Sequence, residues 1–365
     1  MEKKKILIVV GTRPNFVKVT QFKKEAENFP LLDVKIVHTG QHFDQKMADI
    51  FFEQFNLFPD YFLDANSNGV IKQFADIMIK LEELINNVYM PDLVIVVGDV
   101  NSTLAASLVA NKLNIKIAHL EAGLRSWDMD MPEEINRILT DSITDFYFIT
   151  EKSGLENLTN LNLSGKKFMV GNTMIDTLVA FEESIEASMV MQELNVAPGT
   201  FALVTIHRPS NVDSLESLLK IVELLEFIAL STKVVFPVHP RTKSKLFSFK
   251  LYDRLENNDH IRLSEPLSYF PIQKLIKESK YVVTDSGGIQ EETTFRKKPC
   301  LTLRLNTERP STIEVGTNEL VNFEIEDIAH KIRQIENGSY KKGSVPEFWD
   351  GKATRRVLEI LEKEL

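Results

Sequence analysis

One pattern constrains this chain more than any other. Short runs of β-branched and apolar residues alternate with longer segments whose apolar residues fall at helical spacing. In the first half the predicted strands are Ile6–Val10, Val34–His38, Leu93–Val97, Ile115–His119 and Phe146–Ile149. The predicted helices between them are Val17–Asn28, Gln45–Asn56, Ile71–Asn87 and Leu104–Asn114. The second half repeats the scheme, with strands Phe201–Ile206, Lys233–Val238, Ile261–Leu263 and Tyr281–Thr284 around helices Leu215–Ile228 and Ile272–Glu278. Alternation of this kind belongs to parallel sheets wrapped by helices, and 365 residues suffice for two cores. The expectation is therefore an α/β chain of two Rossmann-like, doubly wound domains, residues 1–171 and 172–351. The crossing falls within 171–199, and the amphipathic segment 352–365 packs back on the first domain as a closing helix. Such a build places ligands at the carboxyl ends of the strands, in a cleft between the domains.

Composition narrows the function. A formal net charge of −9 argues against a general nucleic-acid or anionic-membrane surface. The single cysteine, Cys300, excludes an internal disulfide and a multi-cysteine metal site. Lysines followed by the apolar run Ile6–Val10 superficially suggest an export signal, but the run is short and ends in Gly-Thr-Arg-Pro, as a first buried strand does. No stretch approaches the roughly 20 apolar residues that span a bilayer. A cytoplasmic location is expected.

The chemically informative residues follow the strands. Gly11-Thr12-Arg13-Pro14 ends the first strand and Lys18 lies on the next helix, cations that suit a phosphate at a helix start. His38-Thr39-Gly40-Gln41-His42 follows the second strand, and Gly98-Asp99 the third. An Asp at that position reads first as a helix N-cap. The fourth strand opens into Glu121-Ala122-Gly123-Leu124-Arg125, with Pro132-Glu133-Glu134-Ile135-Asn136-Arg137 shortly after. Carboxylates at successive ends of one sheet should converge and raise one another's pKa, the usual preparation for proton transfer.

The second half supplies His207-Arg208, His239-Pro240, Asp285-Ser286-Gly287-Gly288 with Glu291-Glu292 beyond, and Glu308-Arg309-Pro310. A strand running into Ser-Gly-Gly offers backbone N–H groups to a diphosphate, and an acid one turn onward suits a ribose diol. A glycine-permitted turn alone would explain the same Gly-Gly. No Gly-x-Gly-x-x-Gly follows the first strand, no P-loop is present, and no zinc-type histidine spacing occurs. The chemistry expected is that of carboxylates, histidine and arginine acting directly, with neither metal nor organic cofactor.

Taken in order, Gly-Thr-Arg-Pro with its later lysine, Thr-Gly-Gln-His, Gly-Asp, Glu-Ala-Gly-Leu-Arg, Pro-Glu-Glu-x-Asn-Arg, His-Arg, His-Pro, Ser-Gly-Gly-x-Gln-Glu-Glu and Thr-Glu-Arg-Pro resemble the non-hydrolysing UDP-N-acetylglucosamine 2-epimerases. The match runs from about Lys5 to the carboxyl terminus. The resemblance implies a GT-B-like fold, a homodimer, and interconversion of UDP-N-acetylglucosamine with UDP-N-acetylmannosamine for cell-surface polysaccharide precursors. It also implies that Asp99, Glu121 and Glu133 are catalytic carboxylates, with His207 a further active-site residue. Arg13 and Lys18 would lie at the catalytic cleft. Ser286, Gly287 and Gly288 would bind the diphosphate and Glu292 the ribose. Gln41, His42, Arg208, His239 and Arg309 would complete the binding set, some of them around an activating second UDP-N-acetylglucosamine. Three positions depart from the family by losing an acid: Asn15, Ser210 and Ser311.

Inverting C-2 of a UDP-sugar is difficult because no adjacent carbonyl acidifies its proton. Without a nicotinamide fingerprint, the route expected is loss of UDP as a base removes that proton, giving 2-acetamidoglucal, then re-addition of UDP with protonation from the other face. Alternative readings are an epimerase for a modified sugar such as UDP-2,3-diacetamido-glucuronic acid, a hydrolysing epimerase, a glycosyltransferase of the same build, and a non-catalytic UDP-sugar binder.

Overall fold

The computed structural model describes residues 2–41, 52–65 and 68–365. The chain divides into two compact units, Met1–Ala180 with Glu347–Leu365, and Phe181–Pro346. The first unit holds β1 (Lys4–Val10), β2 (Leu32–His38), β3 (Tyr61–Phe62), β4 (Leu93–Val97), β5 (Lys116–Leu120), β6 (Phe146–Ile149) and β7 (Lys166–Met169). The second holds β8 (Phe201–Thr205), β9 (Lys233–Pro237), β10 (Ile261–Ser264), β11 (Tyr281–Thr284), β12 (Cys300–Thr302) and β13 (Asn318–Leu320). Among the described residues each unit forms one sheet, ordered β3-β2-β1-β4-β5-β6-β7 and β10-β9-β8-β11-β12-β13. All pairings are parallel. The expected α/β class with two doubly wound sheets is what the chain adopts.

The strands explain the layering. Along β8, Phe201 and Leu203 join one apolar cluster while Ala202 and Val204 join another. On β9 and β11, Val235 and Val282 likewise side with the first cluster, and Val234, Phe236, Tyr281 and Val283 with the second. A strand buried on both faces must be apolar throughout, which is why these segments read as continuous runs. Cys300 is fully buried in the first of these cores, which pushes its thiol pKa up to about 11. No helix among the described residues is long and apolar enough to cross a membrane.

Strand order reverses between β1 and β4 in the first unit, and between β8 and β11 in the second. At such a switch point the connections on either side run in opposite directions and leave a crevice at the carboxyl ends of the strands. Each unit therefore owns one crevice, fixed by topology alone.

Several expectations need correction. The helix expected over Val17–Asn28 is two short helices, Arg13–Val17 and Phe22–Ala26. The break has a cause: the Val17 carbonyl accepts from the Thr177 hydroxyl, which itself lies 2.6 Å from the Thr20 hydroxyl. The helix expected over Gln45–Asn56 falls largely outside the described residues. Patterning does not single out β3, β7 or β13, each an edge strand of two to four residues. An edge strand pairs on one side only and needs little apolar sequence.

The return segment docks on the first unit. The buried Trp349 indole donates to the Thr150 carbonyl at 2.9 Å. Asp176 accepts from the backbone N–H groups of Ala353 and Thr354, at 3.1 and 2.6 Å, and so caps the helix Ala353–Glu364.

The turn after β5 is the tightest feature of this unit. Glu121 has φ +69° and Gly123 φ +82°. A Cβ at Gly123 would lie 2.3 Å from the Gly154 carbonyl oxygen, so the turn rests directly on another glycine backbone. Gly338, at φ +74°, faces open space. Gly338→Ala should cost only the backbone term, about 1 kcal/mol. Gly123→Ala adds overpacking and should cost roughly 2–4 kcal/mol. Denaturant unfolding of the two variants checks the difference, and equal losses would contradict this reading of the turn.

Candidate active site

In the first unit the polar side chains gather at the switch point. Asn15, in the first helix, donates to the Val97 carbonyl at 3.0 Å and accepts from Thr12, joining the turns after β1 and β4. Lys18 reaches from the same stretch to form a buried ion pair with Glu121 through Oε2. The other oxygen, Oε1, is buried and has no hydrogen-bond partner among the described residues. Gly98 fills the remaining space: a Cβ there would sit 3.2–3.4 Å from Asn15, Lys18 and Glu121. Its φ of +63° also calls for glycine.

Asp99 does not cap the helix that follows it. Arg137 donates to its Oδ2 from Nε at 3.0 Å and from Nη2 at 2.7 Å, a two-pronged grip that leaves the carboxylate about a quarter exposed. Asn136 donates to the Asp99 carbonyl at 2.8 Å. The capping group is Gln41, whose side-chain oxygen accepts from the Ser102 N–H at 3.0 Å and the Ser102 hydroxyl at 2.7 Å. Glu133 stands exposed in the first turn of the helix Pro132–Ser142. Its neighbour Glu134 is the buried acid, accepting from Ser126, from the Trp127 N–H at 3.1 Å and from Arg137. Arg13 is exposed, and His42 lies outside the described residues.

Behind both turns lies a fully buried group of His119, Asp141 and Arg125. Burial alone would raise the Asp141 pKa, but the His119 charge and hydrogen bond, followed by Arg125, hold it below the ordinary carboxylate range.

The second unit builds its crevice around Asp285. This buried carboxylate accepts from the backbone N–H groups of His207 and Arg208 and from Asn211, and lies 2.9 Å from His207 Nδ1. Burial would raise its pKa; His207 and these N–H groups outweigh that and lower it. With Nδ1–H given to Asp285, the half-exposed His207 ring turns its Nε2 side to solvent or a ligand. His239 caps the helix Pro240–Ser248 by accepting the Arg241 N–H at Nδ1, and its ring lies 5.4 Å from that of His207. Burial and then the charge of His207 lower the His239 pKa.

Ser286 ends the turn that opens the helix Gly287–Phe295. A Cβ at Gly287 would come within 2.9 Å of Arg309 and Glu308, so only glycine lets those side chains lie under the turn. Arg309 is held there by Glu291 at 3.0 Å and by Glu308, which also grips Arg304 at 2.7 Å. Glu292 is buried further along the helix, and burial pushes its pKa up to about 7 against the opposing pull of the Gln273 amide and the Arg296 charge. Among the described residues no group of three or more His, Cys, Asp or Glu side chains is arranged to hold a metal ion.

Each crevice thus combines proton-transfer groups or N–H donors with a fixed cation, suited to an anionic ligand and acid–base chemistry. Sequence reasoning gave no role to Arg137, Glu134, Asp285, Asn211, His119, Asp141 or Glu308. Glu134, Arg137 and Glu308 stood within the quoted motifs without a role, and Asp285 carried a signal as an acid between a strand and Ser-Gly-Gly.

The chain matches the family model described as UDP-N-acetylglucosamine 2-epimerase over residues 24–362. It is 40% identical to the UDP-N-acetylglucosamine 2-epimerase of Methanocaldococcus jannaschii, with 98% of each chain covered. A crystal structure of that organism's enzyme in complex with UDP-GlcNAc and UDP is similar at TM-score 0.88 and 40% identity, covering 98% of this chain and 99% of that one. The UDP-2,3-diacetamido-2,3-dideoxy-D-glucuronate 2-epimerase of Pseudomonas aeruginosa is 36% identical, with 98% of this chain and 99% of that one covered.

The buried Glu292 gives a stability prediction. Its folded pKa of about 7 lies above its ordinary value of 4.5, so the fold favours the protonated acid. The stability it confers is full below about pH 4.5 and is lost as pH rises through 7, because the unfolded chain ionises first. Glu292→Gln should stabilise the chain at pH 8 by roughly 3 kcal/mol, since each pKa unit is about 1.4 kcal/mol. The gain should be almost as large at pH 7, shrink below that and vanish near pH 4. Denaturant melts at three pH values check the sign.

Proposed function

Because the chain belongs to the UDP-N-acetylglucosamine 2-epimerase family, we propose that it inverts C-2 of UDP-N-acetylglucosamine to give UDP-N-acetylmannosamine, and the reverse, as a non-hydrolysing isomerase. The observation that carries this reading is the buried Glu121, with one oxygen fixed by Lys18 and the other without a hydrogen-bond partner among the described residues, at the switch point that also holds Asp99.

The chemistry divides between the units. In the first, Glu121, Asp99 and Glu133 handle the C-2 proton, and Arg13 and Lys18 supply positive charge. More than one acid is needed because the proton leaves one face of the ring and returns to the other. In the second, the N–H groups at Ser286–Gly288 and the nearby Arg309 receive the diphosphate, Glu292 takes the ribose, and His207 backed by Asp285 assists the departing group. N–H donors of this type each contribute about 3 kcal/mol to stabilising developing charge. Loss of UDP leaves 2-acetamidoglucal, and re-addition completes the inversion. Gln41, His42, Arg208 and His239 complete the binding set. A homodimer and a cytoplasmic location belong to the same reading, the latter supported by a lone buried cysteine.

The second reading, a 2-epimerase for a diacetamido-glucuronate sugar, is favoured by the Pseudomonas relative and by Asn15. An acid at position 15 could not donate to the Val97 carbonyl as the amide does, so the electrostatics beside Glu121 differ from the family's common form.

Incubation with UDP-N-acetylglucosamine in deuterated water should place deuterium at C-2 and yield the manno epimer without stoichiometric release of UDP. Running the diacetamido-glucuronate sugar alongside separates the two readings. Asp99→Asn should lower turnover at least about 100-fold with folding intact. Near-normal turnover would remove Asp99 from the mechanism.

A further inference from the structure

His119 lies on β5 with its ring fully buried and an oxygen at each nitrogen. Nδ1 is 2.7 Å from Asp141 Oδ1, and Nε2 is 2.8 Å from the Gly98 carbonyl oxygen. A carbonyl only accepts. Asp141 is ionised beside Arg125: its Oδ2 takes the Gly123 N–H at 3.2 Å and meets Arg125 Nη2 at 2.6 Å, which leaves Oδ1 as an acceptor too. A neutral imidazole owns one N–H, so either tautomer would turn a lone pair towards a lone pair at contact distance. In a fully buried site no water can relieve that mismatch, and an unmade bond there costs the full desolvation of the group. Only the doubly protonated ring satisfies both oxygens.

We propose that His119 is a standing imidazolium, a positioning residue that ties the Gly98–Asp99 turn to the Glu121–Gly123 turn through Asp141. One ring thereby sets the separation of the two acids at the switch point. The ring bonds the carbonyl just before Asp99, and Asp141 holds the N–H two residues after Glu121. Charge balance agrees. With the imidazolium, the cations Lys18, His119, Arg125 and Arg137 match the anions Glu121, Asp99, Asp141 and Glu134 one for one. Tyr147, the other titratable side chain against this group, donates its hydroxyl to the Asp141 carbonyl at 2.7 Å, and its pKa is raised by burial and then Asp141, which keeps it neutral. The positioning half of the proposal rests on the epimerase reading of Asp99 and Glu121; the protonation half does not.

Two measurements on the full chain test the halves separately. Nitrogen-15 NMR of histidine-labelled protein resolves seven histidines, and His119 is assigned by its loss in His119→Gln. Both of its ring nitrogens should carry a proton at pH 7.5, as the two facing oxygens require. An unprotonated ring nitrogen at pH 7.5 overturns the proposal. For the second half, His119→Gln, which keeps one donor, should lower kcat for C-2 deuterium exchange by about 10- to 100-fold, as small displacements of reacting groups do. KM and UDP affinity should stay within about two-fold. An unchanged kcat, or a matching loss of UDP affinity, overturns the positioning role. Should the wild-type chain exchange no deuterium from either sugar, the epimerase reading fails and the ring's protonation is still decided by NMR.

Discussion

The first unit depends on one buried ion pair, Lys18 with Glu121. Taking both charges out of water costs several kcal/mol, and their attraction offsets this only while the geometry is held. The hold comes from the backbone around them. Asn15 pins one turn to β4, glycine at 98 leaves room for three polar groups, and Gly123 lets the turn lie flat on Gly154. Glu121 itself sits at a positive φ that an ordinary side chain adopts only under constraint, the kind of local strain found where a group must be aimed rather than merely accommodated.

The second unit solves a related problem differently. Its central anion, Asp285, carries no lysine or arginine at its carboxylate in the contacts described. It gathers backbone N–H groups, an asparagine amide and the His207 ring. Such a carboxylate is kept ionised by hydrogen bonds more than by a countercharge. The result is a rigid base for a half-exposed imidazole, beside a glycine turn floored by Arg309. The two crevices occupy the same place in the strand order, yet one is organised about a paired acid and the other about a supported histidine.

Much of the architecture was legible because buried parallel strands write themselves as unbroken apolar runs. Leu93–Val97, Phe146–Ile149 and Tyr281–Thr284 coincide with β4, β6 and β11 residue for residue. The strand-end rule also located the loops that carry Lys18, Asp99, Glu121 and His207. What it could not resolve was which neighbour faces inward. Glu133 and Glu134 are adjacent in the first turn of one helix, where about 100° per residue separates an exposed acid from one bonded to Ser126 and Arg137. Nor could spacing reveal partners brought together from afar. Gln41 caps a helix that starts some sixty residues later, and His119 meets Asp141 across a strand and a helix. Local propensity offered Asp99 as that cap; the fold gave the job to Gln41 and handed Asp99 to Arg137.

The placement of the two tryptophans has a consequence for following this chain in solution. Trp127 is 62% exposed beside Glu134, Trp349 is 2% exposed against Thr150, and both belong to the first unit. Indole emission is therefore a reporter of that unit alone, one wavelength component from a solvated ring and one from an enclosed ring, and Phe181–Pro346 can melt without altering it. A fluorescence transition that coincides with the loss of far-ultraviolet ellipticity would mean the units unfold as one cooperative body. Two separated transitions would mean that a single free energy of unfolding has no meaning for this chain.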